Sequence, residues 1–254
     1  MNPLPRQIAL DLGHTPEVTL ENFIVTGNEN LISVLKNIQN AWQQHFSGST
    51  GLRPDQRMIH FWGASGSGRS HLLAAMKTKA SELGIHIFLL NHESTADEWR
   101  LAGDSLLENS HEVGLLGIDD IDHLDDFAQG ALFRLHNAIR ESEHQYLLTS
   151  SLNPITQLQL RDDLKTRLAW GLVFQMHALS DDEKLQALQL SANARGLNLS
   201  PEVPQWLLRH FHRDMPSLMS LLDALDTYSL ETKRAITLPL VKEMLAQKNK
   251  HNDA

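Results

Sequence analysis

Eight residues, Gly63-Ala64-Ser65-Gly66-Ser67-Gly68-Arg69-Ser70, lie directly between an apolar run, MIHFW, and a helical pattern, HLLAAMKTKA. Their spacing follows G-x-x-x-x-G-K-[ST] with Arg69 in the lysine position. The chemistry implied is phosphate binding. Gly63, Gly66 and Gly68 allow backbone bends with positive φ and bring N–H groups against phosphate oxygens, with Ser67 inside the same loop. The helix start adds a partial positive charge. Ser70 places a hydroxyl where it can ligate a Mg²⁺ that bridges phosphates. Arg69 offers a planar fork that can grip a diphosphate, whereas lysine, a compact charge, can follow a transferring γ-phosphate. Binding without efficient turnover is expected.

About fifty residues on, the apolar run LLGI ends in Asp119 and Asp120. The ends of parallel strands face the ligand crevice. Asp119 is suited to hold Mg²⁺ through water, and Asp120 to orient an attacking water. The plainer reading is that both acids, with Asp122, Asp125 and Asp126, solvate a loop and cap the next helix. A third cluster, Thr149-Ser150-Ser151, ends another apolar run. Ser151 either bonds phosphate or forms the turn before Pro154. Arg167, within LRDDLKTRLAW, is either a surface charge or a cation that reaches the nucleotide of a neighbouring subunit.

These residues need a scaffold with several strand ends on one edge. Apolar runs at 58–62, 85–90, 113–118, 145–150 and 172–176 alternate with helical patterns, beginning with Leu31, Leu35, Ile38 and Trp42 in a helix over 28–46. This alternation predicts an α/β fold with a parallel sheet between helices. From 179 to 247 only helical patterns follow, with Ser180 and Ser200 as N-caps, Pro216 near a first turn and Thr237 opening the last helix. They read as a small all-helical lid. Residues 1–17 carry Pro3, Pro5 and Pro16 around a short apolar hexamer and read as an extended arm. The expected divisions are therefore 1–17, 18–178, 179–247 and a tail at 248–254.

Composition narrows the function. The chain has 254 residues, a formal net charge of −9 and no cysteine. The charge opposes non-specific attraction to DNA phosphates. Absence of cysteine excludes disulfides, thiolate metal sites and a cysteine nucleophile. No apolar run approaches the length needed to span a bilayer, so a cytoplasmic protein is expected. Ser33 and Lys36 match S-x-x-K, but inside an amphipathic helix the match is accidental. The tryptophans, Trp42, Trp62 and Trp170 among them, are expected to pack, not to serve as stacking platforms.

The glycine-rich loop, the paired aspartates, LLTSSLNP, LKTRLAWGLVF and the helical stretch ending ITLPLVKEML together resemble the AAA+ core of the DnaA-type replication initiators over about residues 20–247. Within that family the chain resembles the regulatory inactivators, which stop after the lid. The resemblance implies an AAA+ P-loop core with a helical lid, and ADP held at the chain's own site. It implies Arg167 as an arginine finger acting in trans on ATP bound to DnaA. It also implies a clamp-binding hexamer in the arm, with Gln7, Leu10 and Leu12 docking on the DNA polymerase III sliding clamp. DNA is then met only through the clamp, and self-association stays open. The outcome would be inactive ADP-DnaA and no re-initiation, so the chain reads as an activator of another protein's hydrolysis more than as an autonomous ATPase. Alternatives are a helicase loader and a self-sufficient NTPase of the same group. Ser151 stands where the initiator has an aspartate and Pro216 where the family has a lid arginine. Arg213, one helical turn earlier, is a candidate substitute for the latter.

Overall fold

The computed structural model describes residues 18–45, 52–211 and 215–252. The arm with Gln7, Leu10 and Leu12 lies outside the described residues, as do Arg213 and the side chain of Pro216. The chain divides into two compact units. One is Val18–Ala178 and the other contains the described residues from Leu179 onward.

The first unit is built on five strands, β1 (Met58–Trp62), β2 (His86–Leu90), β3 (Gly114–Ile118), β4 (Gln145–Ser151) and β5 (Leu172–Gln175). All pair in parallel, in the order β2-β3-β4-β1-β5. The three inner strands are buried almost throughout, which is why they read as near-continuous apolar runs. The edge strands β2 and β5 are only partly covered and mix apolar with polar positions.

Successive residues on each strand enter opposite cores. Ile59, Phe61, Leu115 and Leu148 pack with α1 (Glu29–His45) and with α3 (Arg69–Glu82). Met58, Leu116, Ile118 and Leu147 pack instead with α4 (Ala96–Glu108), α5 (Asp126–Glu141) and α6 (Asp162–Leu168). The expected parallel sheet between helices is what the structure shows. Trp42 is fully buried and meets Tyr146 edge-on at 5.6 Å. Trp170 departs from the expectation of packing: it is 46% exposed, and the Arg140 guanidinium lies 4.4 Å from its ring. It follows α6 directly, where the chain runs along the surface before β5.

A four-residue helix, α2 (Pro54–Arg57), directly precedes β1, and it delivers a buried arginine. Arg57 Nη1 donates to the carbonyls of Ile139 (3.1 Å) and Gln145 (2.5 Å), Nη2 to that of Ser142 (2.6 Å), and Nε to that of Leu52 (3.2 Å). Carbonyls left over at the end of α5 are thus satisfied by one side chain. Burial pulls the Arg57 pKa downward from its ordinary value, and nearby Tyr146 and Glu143 oppose that shift.

The second unit packs α7 (Asp181–Ala194), α8 (Glu202–His210), α9 (Met215–Thr232) and α10 (Leu238–Asn252) around Leu188, Leu207, Leu222 and Leu240. Ser180 caps α7 by accepting from Glu183 N, and the Glu183 carboxylate accepts in return from Ser180 N. Ser200 does not cap with its side chain, contrary to expectation. Its amide donates to Ile236 beside the bridge that pairs Leu199 with Ile236, and its buried hydroxyl has no partner among the described residues. The final helix continues to Asn252, past the boundary expected at 247, through a stretch without glycine or proline.

Replacing Arg57 by leucine strips four buried or partly buried carbonyls of this donor. Urea unfolding at pH 7 should show a loss of about 2–4 kcal/mol, with the slope unchanged.

Candidate functional site

Two chain reversals set the site. From β1 the chain crosses to β2 on one side, and from β4 it crosses to β5 on the other, so the crevice opens at the carboxyl ends of β1 and β4. β3, beside β4, contributes the third strand end. The glycine-rich loop leaves β1 with Gly66 at φ 78° and Gly68 at φ 94°. A Cβ on Gly63 would lie 2.6 Å from the Met176 carbonyl oxygen, and one on Gly68 would lie 2.5 Å from the Phe23 ring. Phe23 belongs to the stretch before α1, which sequence reasoning passed over. It also meets His71 at 5.5 Å between ring centroids, and His71 Nε2 bonds the Thr19 carbonyl at 3.1 Å.

No side chain caps α3, whose N-cap is Gly68. The Ser67 hydroxyl is buried and has no hydrogen-bond partner among the described residues. A buried hydroxyl and a helix start without side-chain acceptors are costly unless a ligand supplies oxygens. Phosphate groups fit that requirement.

Ser70 Oγ donates to Asp119 Oδ2 at 2.5 Å, and Ser150 Oγ donates to Asp119 Oδ1. One carboxylate therefore links the loop after β1 to the ends of β3 and β4. Ser70 and Asp119 together present adjacent hard oxygen donors of the type Mg²⁺ takes. No cluster of three or more metal-binding side chains exists among the described residues. A cation here would draw its remaining ligands from phosphate and water.

Asp120 has left-handed backbone, φ 50° and ψ 54°, and its N–H donates to Ser150 Oγ at 3.2 Å. Its carboxylate meets Arg69: Nη1 to Oδ1 is 2.8 Å, with side-chain exposures of 9% for Arg69 and 34% for Asp120. The guanidinium suggested for a diphosphate is thus engaged by the carboxylate suggested for an attacking water. Asp122 accepts from Leu152 N at 2.7 Å and orders the turn after β4, while Asp125 caps α5 through Ala128 N at 2.8 Å.

Ser151 faces the other way. It is fully buried, donates to the Asn153 carbonyl at 2.6 Å and lies 3.1 Å from His60 Nε2. Since its one proton goes to Asn153, His60 donates from Nε2 and accepts at Nδ1 from Thr149 Oγ1, 2.9 Å away. Burial drives the His60 pKa down to about 4, against a weaker opposing pull from Asp122. Sequence reasoning did not single out His60; a polar residue in the centre of MIHFW was the available signal.

Arg167, on α6, has its partners on α5, on α6 and at Trp170, and none in the glycine-rich loop among the described residues. Its guanidinium carbon lies 3.9 Å from the Phe133 ring centroid, Nε donates to Asn137 Oδ1 at 2.8 Å, and Nη1 donates to the Asp163 carbonyl at 3.3 Å. The side chain is half-buried, and no carboxylate pairs with it among the described residues. Below it, buried His136 donates from Nε2 to the Arg167 carbonyl at 3.0 Å. Desolvation lowers the His136 pKa to about 4.

A parallel sheet in this order, with the glycine-rich loop after β1, an aspartate at the end of β3 and a helical unit next in the chain, defines an AAA+ protein. The model of the bacterial DnaA ATPase domain matches residues 15–175, and that of the Hda lid domain matches 181–245; the chain belongs to the DnaA family and carries an Hda-type lid. Among solved structures, domain III of the Thermotoga maritima replication initiation protein DnaA is 17% identical, with 91% of this chain and 97% of that one covered and a TM-score of 0.65. AMPPCP-bound DnaA from Aquifex aeolicus is 22% identical over 94% of this chain and 70% of that one, TM-score 0.63. The Thermotoga maritima RuvB branch migration motor is 17% identical over 91% and 72%, TM-score 0.62. These three likenesses are likenesses of fold. Among the described residues no helix is long and apolar enough to cross a membrane.

His60 and His136 are held neutral with folded pKa values below that of an unfolded histidine, so the unfolded chain binds the extra protons. Their contribution is complete above about pH 6.5 and is lost as pH falls toward 4. Chemical denaturation should show about 2 kcal/mol lost per histidine by pH 5, and a flatter profile when either is replaced by glutamine.

Proposed function

We propose that this chain is a regulator of replication initiation that stimulates hydrolysis of ATP bound to DnaA, with its own phosphate loop holding ADP. The observation that carries the reading is Arg167. The side chain is a guanidinium without a carboxylate partner among the described residues, braced by Phe133 and Asn137 at a half-buried position. A cation left in that condition is suited to meet charge on another molecule. Presented in trans to the nucleotide of DnaA, it stabilises the charge that spreads over the transferring phosphoryl group, a contribution of about 10³–10⁵ in rate for arginine fingers.

The chain's own site favours retention over turnover. Gly63, Gly66, Ser67 and Gly68 would cradle the phosphates, Ser70 and Asp119 would hold Mg²⁺, and that ion, when bound, supplies charge neutralisation. Asp120 is paired with Arg69, so it is not a free carboxylate for water activation. This counts against a self-sufficient NTPase. The sequence shows no basic, aromatic-interleaved track of the sort a helicase loader would use for single-stranded DNA.

Recruitment is assigned to the arm. Gln7 would satisfy polar groups at the rim of a groove on the sliding clamp while Leu10 and Leu12 enter apolar pockets. ADP-DnaA is the product, DNA is engaged through the clamp, and the setting is the cytoplasm.

Two variants test this reading separately. Arg167→Ala should still join clamp and DnaA in a pull-down but lose the stimulated ATP loss by about 10³-fold or more, measured with radiolabelled ATP on DnaA; undiminished stimulation would refute the finger assignment. Leu10→Ala with Leu12→Ala should abolish clamp binding and leave ADP affinity unchanged; retained clamp binding would remove the tether.

A further inference from the structure

Helices α4 and α5 pack side by side and leave a groove between them. Trp99, Gly103 and Leu107, each about one turn from the next, form one wall, and Phe127, Ala131 and Leu135 belong to the other. Leu107 and Phe127 are 57% and 41% exposed, so apolar surface continues from the groove onto the outside of the chain. The groove encloses about 180 Å³, less than the roughly 300–1,000 Å³ of pockets that take small molecules. An occupant must therefore reach in from a surface of its own.

Gly103 has no internal reason to be glycine. It sits inside α4 without positive φ, and a Cβ there would meet only Leu135 Cδ2, at an ordinary 3.6 Å. Glycine weakens a helix relative to alanine. The free chain gains nothing from it, whereas the missing side chain leaves a notch into which a foreign one can descend. Charge specifies the occupant further. Arg134 on the α5 wall and Asp104 on the α4 wall both line the groove, and neither side chain forms an ion pair among the described residues. Arg100, the third charge at the rim, is compensated on its own helix by Asp97 at 2.9 Å.

We infer that the groove between α4 and α5 docks an amphipathic α-helix of a partner protein, whose apolar stripe carries acidic residues along one flank and basic residues along the other. The stripe enters the trough at the Gly103 notch, an acid of the partner meets Arg134, and a base meets Asp104. From Trp99 to Leu107 the wall runs about 12 Å, a little over two turns, so stripe residues at i, i+3, i+4 and i+7 engage. Phe133 and Asn137, which seat Arg167, are not among the lining residues. The groove is therefore a second surface, and it would serve a partner whether or not Arg167 acts in trans.

The probe is a labelled synthetic helix with leucine at i, i+3, i+4 and i+7, glutamate along one flank and lysine along the other, titrated with the full chain by fluorescence anisotropy. The wild-type chain should bind it with a Kd below about 100 μM. Gly103→Leu fills the notch with a good helix former and should weaken binding by about tenfold or more without lowering the thermal midpoint. Arg134→Asp and Asp104→Arg should each weaken binding by about fivefold or more, and the chain carrying both should recover to within about threefold of wild type, because a helix can lie in the groove in either direction. Arg134 and Asp104 are exposed, so this exchange carries the test should Gly103→Leu fail to fold by circular dichroism. No binding by the wild-type chain at about 1 mM peptide, or binding indifferent to a folded Gly103→Leu or to the single charge variants, overturns the assignment. Sedimentation equilibrium in which the wild-type chain self-associates, each single charge variant abolishes that association and the double exchange restores it would give the groove to a second copy and overturn the partner helix.

Discussion

The parallel pairing of β1 with β4, and of β4 with β3, is the constraint on which the site depends. In register, Trp62 stands opposite Ser151 and Ile118 opposite Thr149, so β1 and β4 end level and β3 ends two residues short of them on the same edge. Glycine-rich loop, aspartates and serines are more than fifty positions apart at the extremes and share no local signal that would gather them. Burial of the sheet on both faces fixes which residues point into which core, and the side chains beyond the last ladder bonds are then committed to the crevice. Asp119 completes the arrangement by accepting from the loop on one side and from β4 on the other.

Alternation decides chemistry within a single tripeptide. Thr149, Ser150 and Ser151 offer three hydroxyls in a row, yet only Ser150 reaches Asp119. Its neighbours turn to the opposite face and enclose His60. The sequence identified the cluster and the strand, and Ser151 was singled out through its place in the family pattern. Which hydroxyl faces the aspartates follows from the pleat and the register, and the register is a property of two strands.

The strands, the major helices, the phosphate loop and the capping of α7 were legible because each rests on a local pattern: continuous apolar runs, glycines ahead of a helix, Ser180 three residues before Glu183. The pairing of Arg69 with Asp120 was not, since it joins a helix start to a strand end on different elements. Nor was the wall formed by Phe23, whose contact with Gly68 is seen only after the stretch before α1 folds back over the loop. Trp170 defeated a rule of composition: an indole is more often packed than presented, but the segment after α6 leaves this one at the surface beside Arg140 and Arg167.

α5 is secured at each extremity. Asp125 fastens its first turn, immediately after the aspartates, and Arg57 gathers the carbonyls where it gives way to β4. Its middle carries Phe133 and Asn137, the seat of Arg167. A rod clamped at both ends resists rolling about its own axis, so the seat keeps a constant bearing relative to the sheet. On the proposed reading the guanidinium would be offered on a rigid mount, with little of its orientation left to gain on docking.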